Sequence, residues 1–219
     1  MKTLVIERQA VKQNIAVVRE RAGRAAVYAA LTGDAGGAGL VDMAKLLRDE
    51  GIGRFAVSEP ADAAALRKAG FVDEELLMLR STADREELEQ LVDVNAVCTI
   101  GSIDAGLALN GLAESRSTVA EAHIQVDTGL GFGGFLCAEP EKVLSAYRNL
   151  PNVAISGIYT QLHSVKADGK EAAAQIQSFQ NLLEAIRAAG FETGTVHAAG
   201  SFALLHYDDA LLDAVRAGS

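Results

Sequence analysis

The sequence alternates between short apolar segments of strand character and longer segments with apolar residues at helical spacing. The first pair is residues 26–31 and residues 41–49, in which Met43, Leu46 and Leu47 share one helix face. Alternation of this kind predicts a parallel sheet whose strands are connected by helices. Eight such units in 219 residues favour an α/β protein of one domain, a closed (β/α)8 TIM barrel, over an open doubly wound sheet.

The predicted elements divide the chain into an N-terminal part, residues 1–25, and a barrel, residues 26–219. The N-terminal part contains a short strand at residues 3–6 and a helix at residues 11–21. The other barrel strands are predicted at residues 54–58, 76–80, 96–99, 120–127, 153–160, 195–199 and 213–218. The other helices are predicted at residues 60–69, 84–91, 104–113, 141–149, 171–189 and 202–205.

A dinucleotide-binding fingerprint would favour the open sheet, and the sequence lacks one after its first strand. The nearest imitation is Gly-Leu-Gly-Phe-Gly-Gly at residues 129–134, which follows a late strand and precedes a loop containing Pro140. As a dinucleotide signal it is weak, because the motif requires a strand before it and a helix directly after it.

Charge and composition exclude several classes of partner. A formal net charge of −9 argues against nucleic acid or an acidic membrane, which both require a basic surface. No apolar run approaches the length of a membrane span, and the two cysteines, Cys98 and Cys137, lie far apart in sequence. We therefore expect a reduced cytoplasmic protein, a monomer or a homodimer, whose partner is a small molecule or an anion. No metal-ligand spacing occurs.

The loop after the first predicted strand, residues 31–39, reads Leu-Thr-Gly-Asp-Ala-Gly-Gly-Ala-Gly. It resembles the motif Val-Val-Lys-Ala-Asn-Ala-Tyr-Gly-His-Gly of alanine racemases, which are fold-type III pyridoxal-phosphate (PLP) enzymes built on a β/α barrel. The resemblance continues in family order through residues 55–59, 66–70, 126–131, 157–160, 196–199 and 215–218. It implies the same barrel fold.

At several positions that carry the family's chemistry, this chain departs from the family. Thr32 stands at the position of the cofactor-binding lysine, and a threonine has no amine with which to bond an aldehyde. Other family residues are also replaced: the tyrosine by Gly36, the motif histidine by Ala38, a lysine by Gln125, an arginine by Phe132, a second histidine by Gln161 and an asparagine by Gly200. We expect Thr32, Gly36, Phe132, Gln161 and Gly200 to form the wall of one pocket.

Other family positions are kept. By resemblance, Ser201 is a phosphate ligand, Arg216 is the partner of the pyridine nitrogen, and Gly218 and Ser219 lie where backbone amides meet phosphate. Barrels often bind phosphate after their seventh and eighth strands, where these residues lie. The alternative for Ser201 is a helix N-cap, and the alternative for Arg216 is a salt bridge to an inward acid such as Asp127.

Three residues are candidates for any remaining catalysis. His163 follows the sixth predicted strand and has a side chain suited to general-base catalysis at neutral pH. Asp127 ends the fifth strand and can share acid and base work with a second carboxylate. Lys166 could form a Schiff base only if its loop closes over the barrel mouth. The alternatives are a hydrogen-bonded loop histidine and a solvated loop lysine, whereas His123 and His197 are interpreted as structural.

The sequence thus predicts an alanine-racemase-like barrel, redesigned by engineering, with a small-molecule or anion pocket and without racemase activity. A redesigned activity of lyase or hydrolase type stays open. One alternative is a pseudoenzyme that binds PLP noncovalently, and another is a surviving racemase. The resemblance also implies a β-rich domain after the eighth strand, which gives the partner subunit a catalytic tyrosine; we expect both to be missing from these 219 residues.

Overall fold

A computed structural model describes residues 4–163 and 169–218 of the chain, and its centre is a closed ring of eight parallel strands. The prediction of a (β/α)8 barrel is therefore confirmed. The ring closes where the last strand pairs with the first, with Val215 opposite Val27. The strands are β1 (Ala26–Ala30), β2 (Arg54–Val57), β3 (Glu75–Ser81), β4 (Val97–Ile100), β5 (Ala120–Asp127), β6 (Phe135–Leu136), β7 (Val153–Thr160), β8 (Thr195–Ala199) and β9 (Ala214–Ala217). The two-residue β6 pairs with the end of β5 and is not part of the ring.

Helices surround the ring in the order that the sequence pattern indicates. They are α1 (Arg8–Ala22), α2 (Thr32–Gly37), α3 (Leu40–Asp49), α4 (Pro60–Lys68), α5 (Arg85–Asp93), α6 (Ile103–Ser115), α7 (Pro140–Asn149), α8 (Lys170–Ala188) and α9 (Ser201–His206), with a 3-10 turn at Asp208–Ala210. Among the described residues, no helix combines the length and the apolar character that crossing a membrane requires.

The core has two parts because successive strand residues face opposite sides. On β2, Phe55 and Val57 face the helices, and Ala56 between them faces the ring interior. The interior cluster consists of Tyr28, Ala56, Leu77, Val97 and Ala214. These apolar side chains fill part of the ring, and polar side chains occupy other inward positions.

The predicted strand at residues 3–6 is wrong. Thr3 lies outside the described residues, and residues 4–7 have no regular secondary structure. Leu4 and Val5 are 68% and 77% exposed. Closure of the ring explains the difference: β1 pairs with both β2 and β9, so neither of its edges is free to accept another strand.

Helix α1 occupies the position of the eighth barrel helix. It packs against α3 and α9 and against the outer faces of β1 and β9. In a (β/α)8 barrel, each groove between neighbouring strands needs a helix to bury its apolar face. Here the helix that precedes the first strand covers the groove between the last strand and the first.

Helix α2 is a left-handed turn, where the sequence indicated a glycine-rich loop. Residues 33–36 have φ angles between 55° and 67°. Two of these residues, Asp34 and Ala35, are not glycine. The Asp34 carboxylate accepts a hydrogen bond from the Leu40 amide at 2.7 Å, and its carbonyl accepts one from the Gly39 amide at 3.0 Å. Asp34 thereby fixes the start of α3.

Candidate functional site

Polar side chains enter the ring from the strands that follow β4. His123 and Gln125 alternate on β5, Tyr159 lies on β7, His197 on β8 and Arg216 on β9. All five side chains are buried, with exposed fractions of 0–6%. They form a polar layer that leads towards the carboxyl ends of the strands, which is where barrels hold their ligands.

Arg216 is the centre of this layer, and its hydrogen-bond acceptors among the described residues are all uncharged. Its Nη1 lies 2.6 Å from His197 Nδ1, and its Nη2 donates to the Thr160 carbonyl and to Gln161 Oε1, both at 2.8 Å. Burial lowers the pKa of Arg216 to about 10, so the guanidinium stays charged at neutral pH. The salt bridge to Asp127 that we considered does not form among the described residues.

The hydrogen bonds determine the tautomers of the two buried histidines. A guanidinium can only donate, so His197 Nδ1 accepts, and the ring proton of His197 is on Nε2. That proton is donated to His123 Nδ1 at 2.9 Å, which leaves the His123 proton on Nε2. Burial lowers the pKa of His123 to about 4 and that of His197 well below its usual value, and the charge of Arg216 lowers both further. Both rings are neutral at pH 7.

Two tyrosine side chains pack against the His197 imidazole, Tyr159 from the neighbouring strand β7 and Tyr28 from β1. The Tyr159 and His197 centroids are 4.9 Å apart, and the Tyr28 and His197 centroids are 5.5 Å apart, both in stacked geometry. The Arg216 guanidinium lies 5.1 Å from the Tyr159 centroid. Aromatic packing and the cation–π contact therefore fix the orientation of the layer.

Ser201 and Gly218 face each other across the ends of β8 and β9. The Ser201 hydroxyl oxygen accepts a hydrogen bond from the Gly218 amide at 3.0 Å. Gly200, not Ser201, is the N-cap residue of α9, and no side chain caps that helix. Two of the three residues that the sequence assigned to a phosphate therefore lie together. The third, Ser219, lies outside the described residues.

Gln161 and Gly200 also lie together, beside Arg216. A Cβ atom at position 200 would be 3.2 Å from Gln161 Nε2, which is tighter than an ordinary contact. The glycine therefore leaves room for the amide that accepts from Arg216 Nη2. This contact joins two of the predicted wall residues to one of the predicted ligand-binding residues.

Thr32 and Gly36 lie in the left-handed turn after β1, at the same end of the ring. Thr32 is partly buried and Gly36 is exposed. None of the strands β1 to β9 contains a lysine. Lys166 belongs to residues 164–168, which lie outside the described part of the chain, so its role in a Schiff base stays a prediction.

Phe132 lies on another side of the mouth. It borders a cavity of about 290 Å³ together with Gln125, Gly101, Ser81 and Gly134. Its side chain is 78% exposed, and its carbonyl accepts a hydrogen bond of 3.5 Å from Gln125 Nε2. Phe132 therefore contributes to the rim of the mouth and lies apart from the contact between Gln161 and Gly200.

His163 and Asp127 both serve loop structure in this geometry. The His163 amide donates to Gln175 Oε1 at 2.9 Å, and its Nδ1 lies 3.9 Å from the Glu171 carboxylate on α8. The Asp127 carboxylate accepts from the amides of Gly129 and Gly131 at 2.8 Å and 3.1 Å. No hydrogen bond or ion pair joins His163 to Asp127 in residues 4–163 and 169–218.

Sequence reasoning did not find that His123 and His197 join Arg216 in one network. Period-two spacing was a usable signal, because it puts His123, Gln125 and Asp127 on one face of β5. Residue spacing alone does not show which strands bring their inward side chains together inside the ring. In the described part of the chain, no group of three His, Cys, Asp or Glu side chains is arranged to hold a metal ion.

Comparison with known proteins relates this arrangement to one family. Residues 6–219 match the family model described as the alanine racemase N-terminal domain. An alanine racemase of Carboxydothermus hydrogenoformans is 33% identical over 211 residues, which are 95% of this chain and 56% of that protein. The chain thus spans just over half the length of that relative.

Solved structures agree with the sequence comparison. The alanine racemase of Corynebacterium glutamicum is 27% identical, with a TM-score of 0.84 over 97% of this chain and 60% of that chain. The structure of alanine racemase from Bartonella henselae with covalently bound pyridoxal phosphate has a TM-score of 0.86 and 20% identity, covering 97% of this chain and 60% of that chain. At this identity, the second likeness concerns the fold alone.

Proposed function

The chain belongs to the family of alanine racemase N-terminal domains, and from that premise we propose that its barrel binds a small anionic molecule without racemising alanine. The binding site lies at the carboxyl ends of β7, β8 and β9. The Ser201 hydroxyl and the Gly218 amide hold the anion, Thr32, Gly36, Gln161 and Gly200 form the surrounding wall, and Phe132 contributes to the rim of the mouth. Any further catalysis would have to come from other residues, such as His163 or Asp127.

The observation that carries this proposal is the identity of residue 32, in the turn that follows β1. Thr32 offers a hydroxyl where family chemistry needs a primary amine, and no strand of the barrel contains a lysine. The covalent bond to an aldehyde that racemisation depends on therefore has no donor on the strands. Anion binding depends on other groups, which the chain keeps.

A second candidate function is noncovalent binding of PLP. Ser201 and Gly218 would hold its phosphate, and the buried cation of Arg216 suits an acceptor atom on the ring. When bound, this cofactor supplies an electron-withdrawing ring and an aldehyde. The hydrogen-bond donors of Ser201 and Gly218 are suited to the phosphate, whereas no described residue of the strands has the amine that would bond to the aldehyde.

We also infer that the pocket was altered by redesign. Thr32, Gly36, Phe132, Gln161 and Gly200 are scattered in sequence, yet all five follow the carboxyl ends of strands, at the same end of the ring. Most of these replacements remove charge or bulk, while the surrounding segments stay similar to the family. A natural lineage carrying the same replacements together would contradict this origin.

The test for lost chemistry compares the wild-type chain with Thr32→Lys. Each protein is mixed with PLP, treated with borohydride and examined by intact mass. We expect a reduced PLP adduct on Thr32→Lys at the new amine and none on a wild-type barrel lysine. An adduct on a wild-type lysine lining the mouth, or PLP-dependent racemisation of alanine by the wild type, would overturn the proposal.

The test for anion binding is calorimetric titration with inorganic phosphate. Ser201→Ala should weaken phosphate binding about tenfold, because one hydrogen bond to a charged group is lost. Ser178→Ala, on the exposed side of α8, is the matched control and should leave binding unchanged. Equal binding by the wild type and Ser201→Ala would argue against this site.

The second candidate function is tested by mixing the wild type with PLP and removing free PLP by desalting. Retention of PLP by the protein, with the absorbance of the free aldehyde, would favour noncovalent PLP binding.

A further inference from the structure

A cavity of about 300 Å³ lies outside the ring, between α1, α3 and the strands β1 and β9. Its lining is apolar with one exception, the side chain of Asn14. Helix α1 contributes Val11, Ile15 and Val18 to this lining. Among residues 4–163 and 169–218, no acidic or basic side chain borders the cavity.

Small residues on the strand wall explain why this space is not filled. Ala29 on β1 and Ala217 on β9 are paired neighbours in the ring, and both line the cavity. Other strands turn large side chains to the helices, as Phe55 and Met78 do on β2 and β3. An apolar space without polar partners holds water poorly, so apolar groups gain most by occupying it.

The cavity adjoins the anion site proposed above. Gly218 follows Ala217 and lines the cavity, and its amide is the group that meets the Ser201 hydroxyl. One residue therefore belongs to both features. A ligand with an anionic head and an apolar tail can place the head at Ser201 and Gly218 and the tail between α1 and the strand wall.

We propose that the barrel binds an anionic amphiphile of the monoalkyl phosphate class, with its alkyl chain in the cavity under α1. The head-group part of this inference rests on the proposed function, and the tail part rests on the cavity alone. The absence of a carboxylate from the cavity lining removes the repulsion that would otherwise oppose such a ligand.

The experiment is calorimetric titration with inorganic phosphate, butyl phosphate, hexyl phosphate, octyl phosphate and 1-octanol, each below its micelle-forming concentration. We expect the affinity of the wild type to rise about fourfold for each methylene that becomes buried, and then to level off. Octyl phosphate should bind more tightly than both inorganic phosphate and 1-octanol.

Two variants fill the cavity from the neighbouring strands β1 and β9. Ala29→Leu and Ala217→Leu should keep the affinity for inorganic phosphate and lose the dependence on chain length. Ala173→Leu, on the exposed face of α8, is the matched control and should behave as the wild type. Circular dichroism checks that each variant is folded. If either leucine variant does not fold, the smaller substitution Ala217→Val is used in its place.

Two results would overturn the inference in distinguishable ways. If inorganic phosphate binds and chain length has no effect, or has the same effect in both filled variants, the tail site is wrong and the proposed function stands. If inorganic phosphate does not bind and 1-octanol binds as tightly as octyl phosphate, the anion site is wrong, and the proposed function fails with it.

Discussion

Arg216 shows how a buried charge is accommodated without a counter-charge on the side chains that it contacts. Carbonyl oxygens, the Gln161 amide and the His197 ring accept its hydrogen bonds, and the Tyr159 ring lies against its guanidinium. Two partners for Arg216 were predicted from the sequence, a pyridine ring nitrogen by resemblance and the carboxylate of an inward acid such as Asp127 as the alternative. In the structure its ring-nitrogen partner is His197, which spacing along the chain did not identify.

The buried histidines make stability depend on pH. Each has a folded-state pKa below the usual 6.5, so at pH values under 6.5 the unfolded chain binds protons that the folded chain does not. The contribution of the two neutral histidines to stability is therefore fully present above the unfolded-state pKa. It is lost as the pH falls towards the folded-state pKa. We expect the free energy of unfolding to fall by up to about 1.4 kcal/mol per pH unit for each histidine.

Urea unfolding measured at intervals between about pH 7 and about pH 5 tests this, a range in which few carboxylates titrate. His206→Gln removes an exposed histidine and should leave the slope unchanged. A free energy of unfolding that stays constant over this pH range would contradict the conclusion that His123 and His197 are buried in their neutral forms.

Gly157 on β7 allows the His123 ring to lie against the backbone. A Cβ atom at position 157 would be 2.5 Å from His123 Nε2. Gly157→Ala should therefore displace the ring and lower the free energy of unfolding by about 1 to 3 kcal/mol. Urea unfolding is the measurement.

Gly111→Ala is the matched control for Gly157→Ala. Position 111 lies in helix α6, and nothing is within 4 Å of its added Cβ. Alanine there should raise the free energy of unfolding by about 0.5 to 1 kcal/mol, because glycine is a poor helix former. The opposite signs of the two substitutions separate a steric effect at His123 from a general effect of removing glycine.

Among the elements, the left-handed turn α2 joins β1 to α3 in a conformation that L residues seldom adopt. Asp34 and Ala35 have φ angles of 57° and 55°. Asparagine and aspartate tolerate this region better than alanine does, and the Asp34 carboxylate also holds the first amide of α3. This one side chain connects the turn to the helix that follows.

Asp34→Ala should lower the free energy of unfolding by about 1 kcal/mol, because the bond to the Leu40 amide is lost. Asp34→Asn keeps an acceptor oxygen and should stay within about 0.5 kcal/mol of the wild type. Thermal unfolding followed by circular dichroism measures both. Equal losses in the two variants would mean that the charge of Asp34, not its hydrogen bond, stabilises the turn.

The barrel strands and helices were predictable because apolar periodicity is a local signal. Predicted residues 153–160 and 195–199 coincide with β7 and β8. Three features were not predictable: the left-handed path of α2, the short β6 and the lack of a partner for residues 4–6. Each depends on φ angles or on pairing between distant segments, which periodicity does not encode.

For the whole molecule, α1 is as much a part of the barrel as the helices between strands. It covers the groove between β9 and β1, and its residues Ile15 and Ala22 belong to the same apolar core as the outward side chains of the strands. For the site, the sequence predicted that residues at the strand ends would meet, and Ser201 with Gly218 and Gln161 with Gly200 do so. Distances across the ring had to come from the structure.

Removal of residues 1–22 should leave the outer faces of β1 and β9 uncovered. We expect a lower midpoint of thermal unfolding and an increase in the fluorescence of a dye that binds apolar surface, because Val27, Ala29 and Val215 lose their cover. Removal of residues 1–5, where Leu4 and Val5 are already exposed, is the control and should change neither measurement. Identical behaviour of the two shortened chains would show that α1 contributes little to stability.

The position of α1 also affects how the protein is made. A ribosome releases this helix before any strand of the ring, yet part of the surface that receives it belongs to β9, the last strand of the ring to be synthesised. Until those four residues emerge, the nascent chain carries an uncovered apolar helix face and an open edge on β1. Synthesis of β9 therefore determines when the ring of the nascent chain can close and the edge of β1 is no longer open to pairing with other chains.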